Sequence, residues 1–488
     1  MYTPLGGGID GVSPASQVRP SALWQGVNVE PKNNGGIRSV QGYIKFDDAE
    51  ISGEGPLLGV HYYNDKVYAV RNAEGGTSAT MWESEGGGWT AIKELLSPDG
   101  RYSFVNYAFA GAQKMYGASG THQAFQWDGT TWEDIATGMA VDEPAHIIAH
   151  RSHLFLSFGN SVQHSSLGDP AAWSPLTGAT EMLFHSNVTG FSSLPNGALG
   201  IYLQSGIVTL IGTSSADWVA NNLSEYSNQA GAVAHTVQPM GSRLLFVDSR
   251  GVTSLAAADS SSDLYDAILS HSVDDRYIGR WSNAMCSCVV RAKGQYRVFF
   301  GDGSGLICTL IGNRVEVTEM ELPTAVRTVV ATESSDGSEL IYFGSTDGYV
   351  RQMEAGKSFD GEAIGCVAQT APFNAKARGH IKRWRRGVVD TNGKGLATLS
   401  VRPVYAIGST GISEPSVAPI CSGRGSLLGS SSVLGEAVLG SSLVSDGDFD
   451  LSGHSDYLSF VFTSLSNNEA PWEIDGYTID FFYGRKRR

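Results

Sequence analysis

The sequence predicts an all-β chain, a six- or seven-bladed β-propeller followed by a C-terminal β-sandwich-like domain. Paired apolar strands around a short polar or glycine turn recur along the middle of the chain, and sustained 3.6-residue periodicity is missing. Glycine supplies 60 of 488 residues, about 12% against a usual 7%, with no collagen-like period to absorb it, so tight turns are its natural place.

Residues 1–46 read as an extended arm. The stretch GGIRSVQGYIKF (35–46), just after LWQGVNVEPKNN, combines turn glycines with short strand-like runs and carries no catalytic group. An arm with strand formers but little to bury is expected to complete a propeller blade or to lie across a neighbouring subunit, held by backbone hydrogen bonds.

Residues 47–365 hold the repeats LLGVHYYNDKVYAV, YSFVNYAFAGAQKMYGA, HLFLSFGNSVQHSS, ALGIYLQSGIVTLIG, RLLFVDSRGVTSLAA, YRVFFGDGSGLICTLI and ELIYFGSTDGYVRQME. Their turns, at Asp65, Ala112, Asn160, Gly206, Gly251, Gly303 and Asp347, lie 44 to 52 residues apart. That interval fits one four-stranded blade and leaves room for a second hairpin, such as ATMWESEGGGWTAI or HQAFQWDGTTWEDI.

From residue 366 to 488 the rhythm changes. IKRWRRGVVDTNGKGLATLSVRPVYAIG has longer strands around Asn-Gly, and DYLSFVFTSL and PWEIDGYTIDFFYGRKRR add strands with aromatic alternation. Between them LLGSSSVLGEAVLGSSLV, with its Leu-Gly repeat, reads as an exposed loop; Glu436 and many serines and glycines make it too polar for a bilayer.

Composition narrows the function classes. At 41% hydrophobic and 17% charged the chain can bury a core. A formal charge of −15 argues against a surface that clamps nucleic acid as a whole, and suits one past which DNA slides. The opening MYTPLGGGIDG has no basic region and no apolar core, so no signal peptide is expected. Five cysteines without CxxC spacing are expected to be reduced thiols, with Cys286 and Cys288 on one face of a strand and buried.

Candidate chemistry is sparse. His146, His150 and His153 have spacings that could suit a metal, but no cysteine stands nearby to complete a shell, and surface or turn histidines are the expectation. Asp446, Asp448 and Asp450 in SDGDFDLSGHSDY mimic the opening of a calcium loop, yet Leu451 holds the sharp-turn glycine position and Tyr457 the twelfth, which favours a solvated acidic turn. SSDGS and STDGY resemble the structural Asp-box turns of sialidase-type propellers without the usual Trp. GxSxG, HExxH and phosphate-loop signatures are missing, and neither a catalytic residue nor a cofactor is assigned.

The basic cluster of Lys376, Arg378, Lys382, Arg383, Arg385 and Arg386 surrounds Trp384, and Arg485 to Arg488 add four more cations. Three readings stay open: contact with an acidic neighbouring subunit, charge guarding an edge strand, and contact with DNA phosphates, for which Lys382, Arg383, Trp384, Arg385 and Arg386 are the candidates.

The opening WQGVNVEPKNNGGIRSVQGYIKF resembles the start of tail nozzle proteins of short-tailed bacteriophages, also called tail accessory or packaged-DNA stabilisation proteins. The segments HSSLGDPAAWSP, VTGFSSLPNGALGIYLQSGIVTLIGTSSADW, YFGSTDGYVRQMEAGKSFDGEAI and WEIDGYTIDFFYGRKRR are similar to the same group. The resemblance implies a non-enzymatic structural protein of the virion tail, assembled in the host cytoplasm as a homo-hexamer. An adaptor ring would sit above it and a needle, fibre or plug protein below. Genomic duplex DNA would be retained in, and later ejected through, the lumen without sequence-specific binding or membrane insertion by this chain. The rival expectations are a propeller glycosidase or depolymerase, and a receptor-binding adhesin of a phage tail.

Overall fold

The computed structural model describes all residues except 15–16, 110, 195, 215, 223–230, 258–263, 313, 376, 378–379, 392–396, 406–417, 423–446, 470 and 487–488. The Leu-Gly repeat therefore lies outside the described residues. Among those described, helix is confined to single short turns such as Asp274–Tyr277, and no helix is long and apolar enough to cross a membrane.

The chain folds as a β-propeller of seven four-stranded antiparallel blades. Their innermost strands are Glu54–Tyr63, Ser103–Tyr107, His146–His150, Val188–Ser193, Gln238–Met240, Ala284–Val290 and Val326–Glu333. Each packs beside the next, and the seventh returns to the first, which closes the circle. Blades one to five each run outward through four consecutive strands.

Apolar clusters fill the gaps between neighbouring blades, for example Tyr68, Val70, Met81, Met115, Phe125 and Trp127 between blades one and two. A blade is thus covered on both faces, and central strands such as Leu199–Leu203 read as continuous buried runs rather than alternating ones.

All seven repeat hairpins are present, one per blade, but their phase slips. Asp65 and Ala112 lie between the first and second strands of their blades, whereas Asn160, Gly206, Gly303 and Asp347 lie between the second and third, and Gly251 opens the third. A tight antiparallel turn needs the same positive-φ residues wherever it falls in a blade, so its sequence marks the hairpin and not the hairpin's rank.

Blade seven takes its outermost strand from the start of the chain. Tyr43–Lys45 pairs antiparallel with Arg351–Met353. Tyr43 is buried, edge-on to Phe343 at 5.2 Å and stacked on Phe359 at 5.1 Å. Gly42 lies so close to the opposing chain that a Cβ there would stand 2.0 Å from the Ser358 carbonyl oxygen.

The rest of the arm is woven into a two-sheet sandwich. Tyr2–Pro4, Val29–Pro31 and Ile37–Ser39 join the sheet of His380–Thr391, Gly447–Ser455 and Glu473–Lys486. Leu23–Val27 joins Ile364–Thr370, Ser459–Ser466, Ala397–Val404 and Ala418–Ser422. Phe460 meets Phe449 at 5.5 Å and Tyr477 at 5.2 Å across the layer between the sheets. On its other edge Leu23–Val27 runs parallel to Arg314–Glu321, the outer strand of blade six, so propeller and sandwich share one sheet.

A buried ion cluster ties that seam. Glu30, 0% exposed, accepts from Arg38 Nε at 2.6 Å, Lys293 Nζ at 2.6 Å, Gln295 Nε2 at 2.9 Å and Arg297 Nη2 at 3.2 Å. Glu354 lies 2.5 Å from Lys293 and 2.6 Å from Arg297, so arm, blade six and the end of blade seven meet in one network. Burial opposes ionisation of Glu30, but the three cations prevail and hold its carboxyl down to about 2.

Candidate functional site

A cavity of about 240 Å³ lies on the propeller axis, and residues from all seven innermost strands contribute to its wall or rim. In a propeller these strands run the same way along the axis, so residues at their starts gather at one mouth. Arg101 precedes the inner strand of blade two, His146 begins that of blade three, Thr189 is second in blade four, and His235 precedes that of blade five. Arg101 Nη2 reaches across to donate to the carbonyl oxygens of Met285 in blade six and Arg327 in blade seven, the latter at 3.3 Å.

The electrostatics of this mouth are one-sided. Among the described residues no Asp or Glu lines it. Burial pushes the Cys286 thiol up to about 12, so it stays neutral beside Arg101. The rings of His146 and His235 are 5.3 Å apart. Burial and the Arg101 charge hold His146 down to about 4 and His235 well below the imidazole range. His61, also on the cavity wall, is buried against Phe104 at 4.9 Å, with Nε2 2.8 Å from Asn106 Oδ1, and burial lowers it to about 4.

These neutral imidazoles make stability depend on pH. Between about 6.5 and 4 the unfolded chain binds protons that the folded chain refuses, so stability falls as pH falls through that window and levels off below it. His61 and His146 each contribute a loss of at most about 3 kcal/mol. The expected result is a urea midpoint clearly lower at pH 5 than at pH 7, with a shallower fall in His61→Gln. Equal midpoints at the two pH values would show that these rings are not held neutral.

The residues singled out in the sequence lie elsewhere, His146 and Cys286 excepted. His146, His150 and His153 are buried in blade three at 8%, 8% and 1% exposure, not at the surface or in a turn. The cause is the covering of both blade faces by neighbouring blades. His153 Nδ1 lies 2.7 Å from the Ser165 carbonyl oxygen, and its ring packs on Trp218 and His164. No group of three metal-ligating side chains occurs among the described residues.

Of the acidic triplet, Asp446 lies outside the described residues, while Asp448 and Asp450 stand on the strand Gly447–Ser455, not in a turn. Asp448 accepts from Arg386 Nε at 2.5 Å, and this bond holds its carboxyl below the usual range. The Asp-box-like carboxylates brace their own turns. Asp336 accepts from the Ser338 amide at 2.9 Å, and Asp347 from Arg351 Nη2 at 2.7 Å.

The basic cluster divides by face. Lys382 is 0% exposed and donates to the carbonyl oxygens of Ala377 and Asp456, at 2.6 and 2.9 Å. Trp384 is buried against Phe481 at 5.3 Å and donates to Ser455 Oγ at 2.7 Å. A bulge between Trp384 and Arg386 turns both Arg385 and Arg386 outward beside the exposed Arg383. Arg385 lies 5.4 Å over the Phe482 ring. The strand His380–Thr391 is flanked by Gly447–Ser455 and Glu473–Lys486, so the edge-guard reading is corrected: these charges stand on an interior strand. Lys376, Arg378, Arg487 and Arg488 lie outside the described residues.

No family model matches the chain, and no curated protein matches it. Solved structures do. A streptogramin B lyase matches with a TM-score of 0.44 at 12% identity over 64% of this chain and 96% of its own. A virginiamycin B lyase from Staphylococcus aureus matches with a TM-score of 0.43 at 10% identity over 62% and 97%, respectively. YCF48 bound to a D1 peptide matches with 0.42 at 12% identity over 65% and 100%. At these identities the likenesses concern fold alone, and the seven-bladed assignment here rests on the sheet pairings themselves.

Arg101, Thr189 and His235 escaped the sequence reading. They sit in unremarkable contexts, RYSF, NVTGF and VAHTV, and only ring closure brings them together.

Proposed function

We propose that this chain is the subunit of a tail nozzle: a homo-hexameric ring below the adaptor ring, with a needle, fibre or plug protein beneath it. The ring retains packaged duplex DNA and passes it at ejection. The observation that carries this reading is where the nozzle-like segments fall. WQGVNVEPKNNGGIRSVQGYIKF carries the strand that joins propeller to sandwich, residues 473–486 of WEIDGYTIDFFYGRKRR pair with the arm inside the sandwich, and YFGSTDGYVRQMEAGKSFDGEAI forms the end of blade seven, against which the arm closes. The other two segments, HSSLGDPAAWSP and VTGFSSLPNGALGIYLQSGIVTLIGTSSADW, lie in blades three and four, so the resemblance runs through propeller, joint and sandwich alike.

Charge supports the same reading. Six copies at −15 carry −90, and a lumen lined by part of that charge would repel the duplex and let it slide. The DNA path in this reading is the space between subunits. The propeller axis holds only about 240 Å³ and is crossed by Arg101, whereas the major groove of a duplex alone is about 12 Å wide. Closure then falls to exposed Gly- and Ser-rich loops or to a plug protein.

Negative-stain imaging of the purified protein with its adaptor partner is the test. A sixfold ring with a central lumen is expected. A monomer or trimer that binds cells, or a preparation that cleaves host polysaccharide, would overturn the proposal in favour of an adhesin or a depolymerase. A lumen lined chiefly by Lys and Arg would count against the sliding argument.

A further inference from the structure

The mouth of the axial cavity holds donors without acceptors. Arg101 is a partly buried cation whose only partners among the described residues are two backbone carbonyl oxygens, on a single nitrogen. Its Nε and Nη1 meet no acceptor there, although a guanidinium in a protein interior ordinarily finds a carboxylate. Thr189, 8% exposed, lines the same cavity from blade four, and its Oγ1 is buried without a hydrogen-bond partner. The rings of His146 and His235 also lack hydrogen-bond partners among the described residues, and His235 is held at a positive φ of 60°. Behind Arg101 a second guanidinium, that of Arg327, lies near Met285 Sδ with its buried Nε unpaired.

An unpaired buried hydroxyl and an uncompensated cation each cost free energy. Both line one cavity, which calls for a shared partner, and that partner must be an acceptor with negative charge. We propose that this mouth is an oxyanion site, in which a phosphate or sulfate group is held by the Arg101 guanidinium and the Thr189 hydroxyl, with His146 and His235 beside it. The cavity lies below the roughly 300 to 1,000 Å³ of sites that enclose drug-sized organic ligands, so it admits the anionic group and little else. The site does not depend on the nozzle reading: it belongs to the folded subunit, whatever ring that subunit forms.

Isothermal titration of the full chain with inorganic phosphate, with sulfate and with a nucleoside monophosphate, at constant ionic strength in chloride, tests the proposal. Saturable binding of about one anion per chain is expected, weakened at least tenfold in Arg101→Gln and severalfold in Thr189→Val. Thr189→Val keeps shape while removing the orphan hydroxyl, so it is expected to fold as well as the parent and keeps the test decisive if Arg101→Gln does not fold. Tighter binding of the free ion would identify the ligand as inorganic, and tighter binding of the ester as the end group of a larger molecule. No saturable binding of any of the three, or equal affinity in Thr189→Val and the parent, would overturn the site. Thermal stabilisation alone does not count, because phosphate and sulfate stabilise folded proteins generally by exclusion from their surface.

Discussion

A chain lacking residues 1–46 is expected not to fold cooperatively. The arm supplies the fourth strand of blade seven and strands in both sandwich sheets, so its loss opens the propeller at the seam and bares two sheet edges. Leu5, Ile9, Leu23, Val29, Ile37, Val40 and Tyr43 are all at most 3% exposed. Each such side chain stabilises by about 1.5–3 kcal/mol when fully buried, and seven of them together rival the 5–15 kcal/mol that holds a typical domain. Circular dichroism melts and size exclusion of the truncated chain are expected to show aggregation or a broad, non-cooperative transition. A soluble truncation with the melting point and oligomeric state of the parent would mean that the arm is an appendage.

Glu30→Ala is expected to destabilise by about 3–5 kcal/mol, the usual consequence of removing one partner from a buried ion network and leaving the rest uncompensated. Lys293 and Arg297 would retain Glu354 as their one carboxylate among the described residues, with Gln295 Oε1 still accepting from Arg297, and Arg38 would lose its buried acceptor. Glu30→Gln, which keeps an acceptor but not the charge, is expected to fall between. The Glu30 carboxyl ordinarily titrates near 4.5 and is held at about 2 in the fold, so its contribution is present above 4.5 and is lost as pH falls toward 2. Urea unfolding should therefore separate parent and Glu30→Gln widely at pH 7 and narrowly near pH 3, on top of the histidine losses that both share. Identical midpoints at pH 7 would remove this network from the account of how the arm is held.

The two effects have a common source. Gly42 against Ser358, Tyr43 between Phe343 and Phe359, and Glu30 among three cations all pin the first 46 residues to segments hundreds of positions away. In the proposed ring this matters mechanically, because a propeller joined to its sandwich by a shared sheet resists shear as one body.

The all-β class, the recurrence of one blade per repeat and the second β domain were legible in the sequence, because tight turns announce themselves locally. Asn64-Asp65, Gly159-Asn160 and Asp347-Gly348 supply the positive φ that their hairpins need, without reference to anything distant. The burial of Cys286 and Cys288 was legible in the same way, from an apolar strand two residues apart. The expectation that the arm would complete a blade came from its strand formers and lack of a core of its own, and Tyr43–Lys45 does so.

Only the tertiary structure decided the rest. Nothing near His146, His150 and His153 says that neighbouring blades will cover them, and nothing in IKRWRRG says that its strand will take two flanking partners rather than one. The physical reason is range. A turn is set by the dihedral preferences of two or three adjacent residues, whereas burial, strand rank and the meeting of Arg101 with Thr189 are set when a circle of seven blades closes, by contacts between residues with no sequence relation to one another.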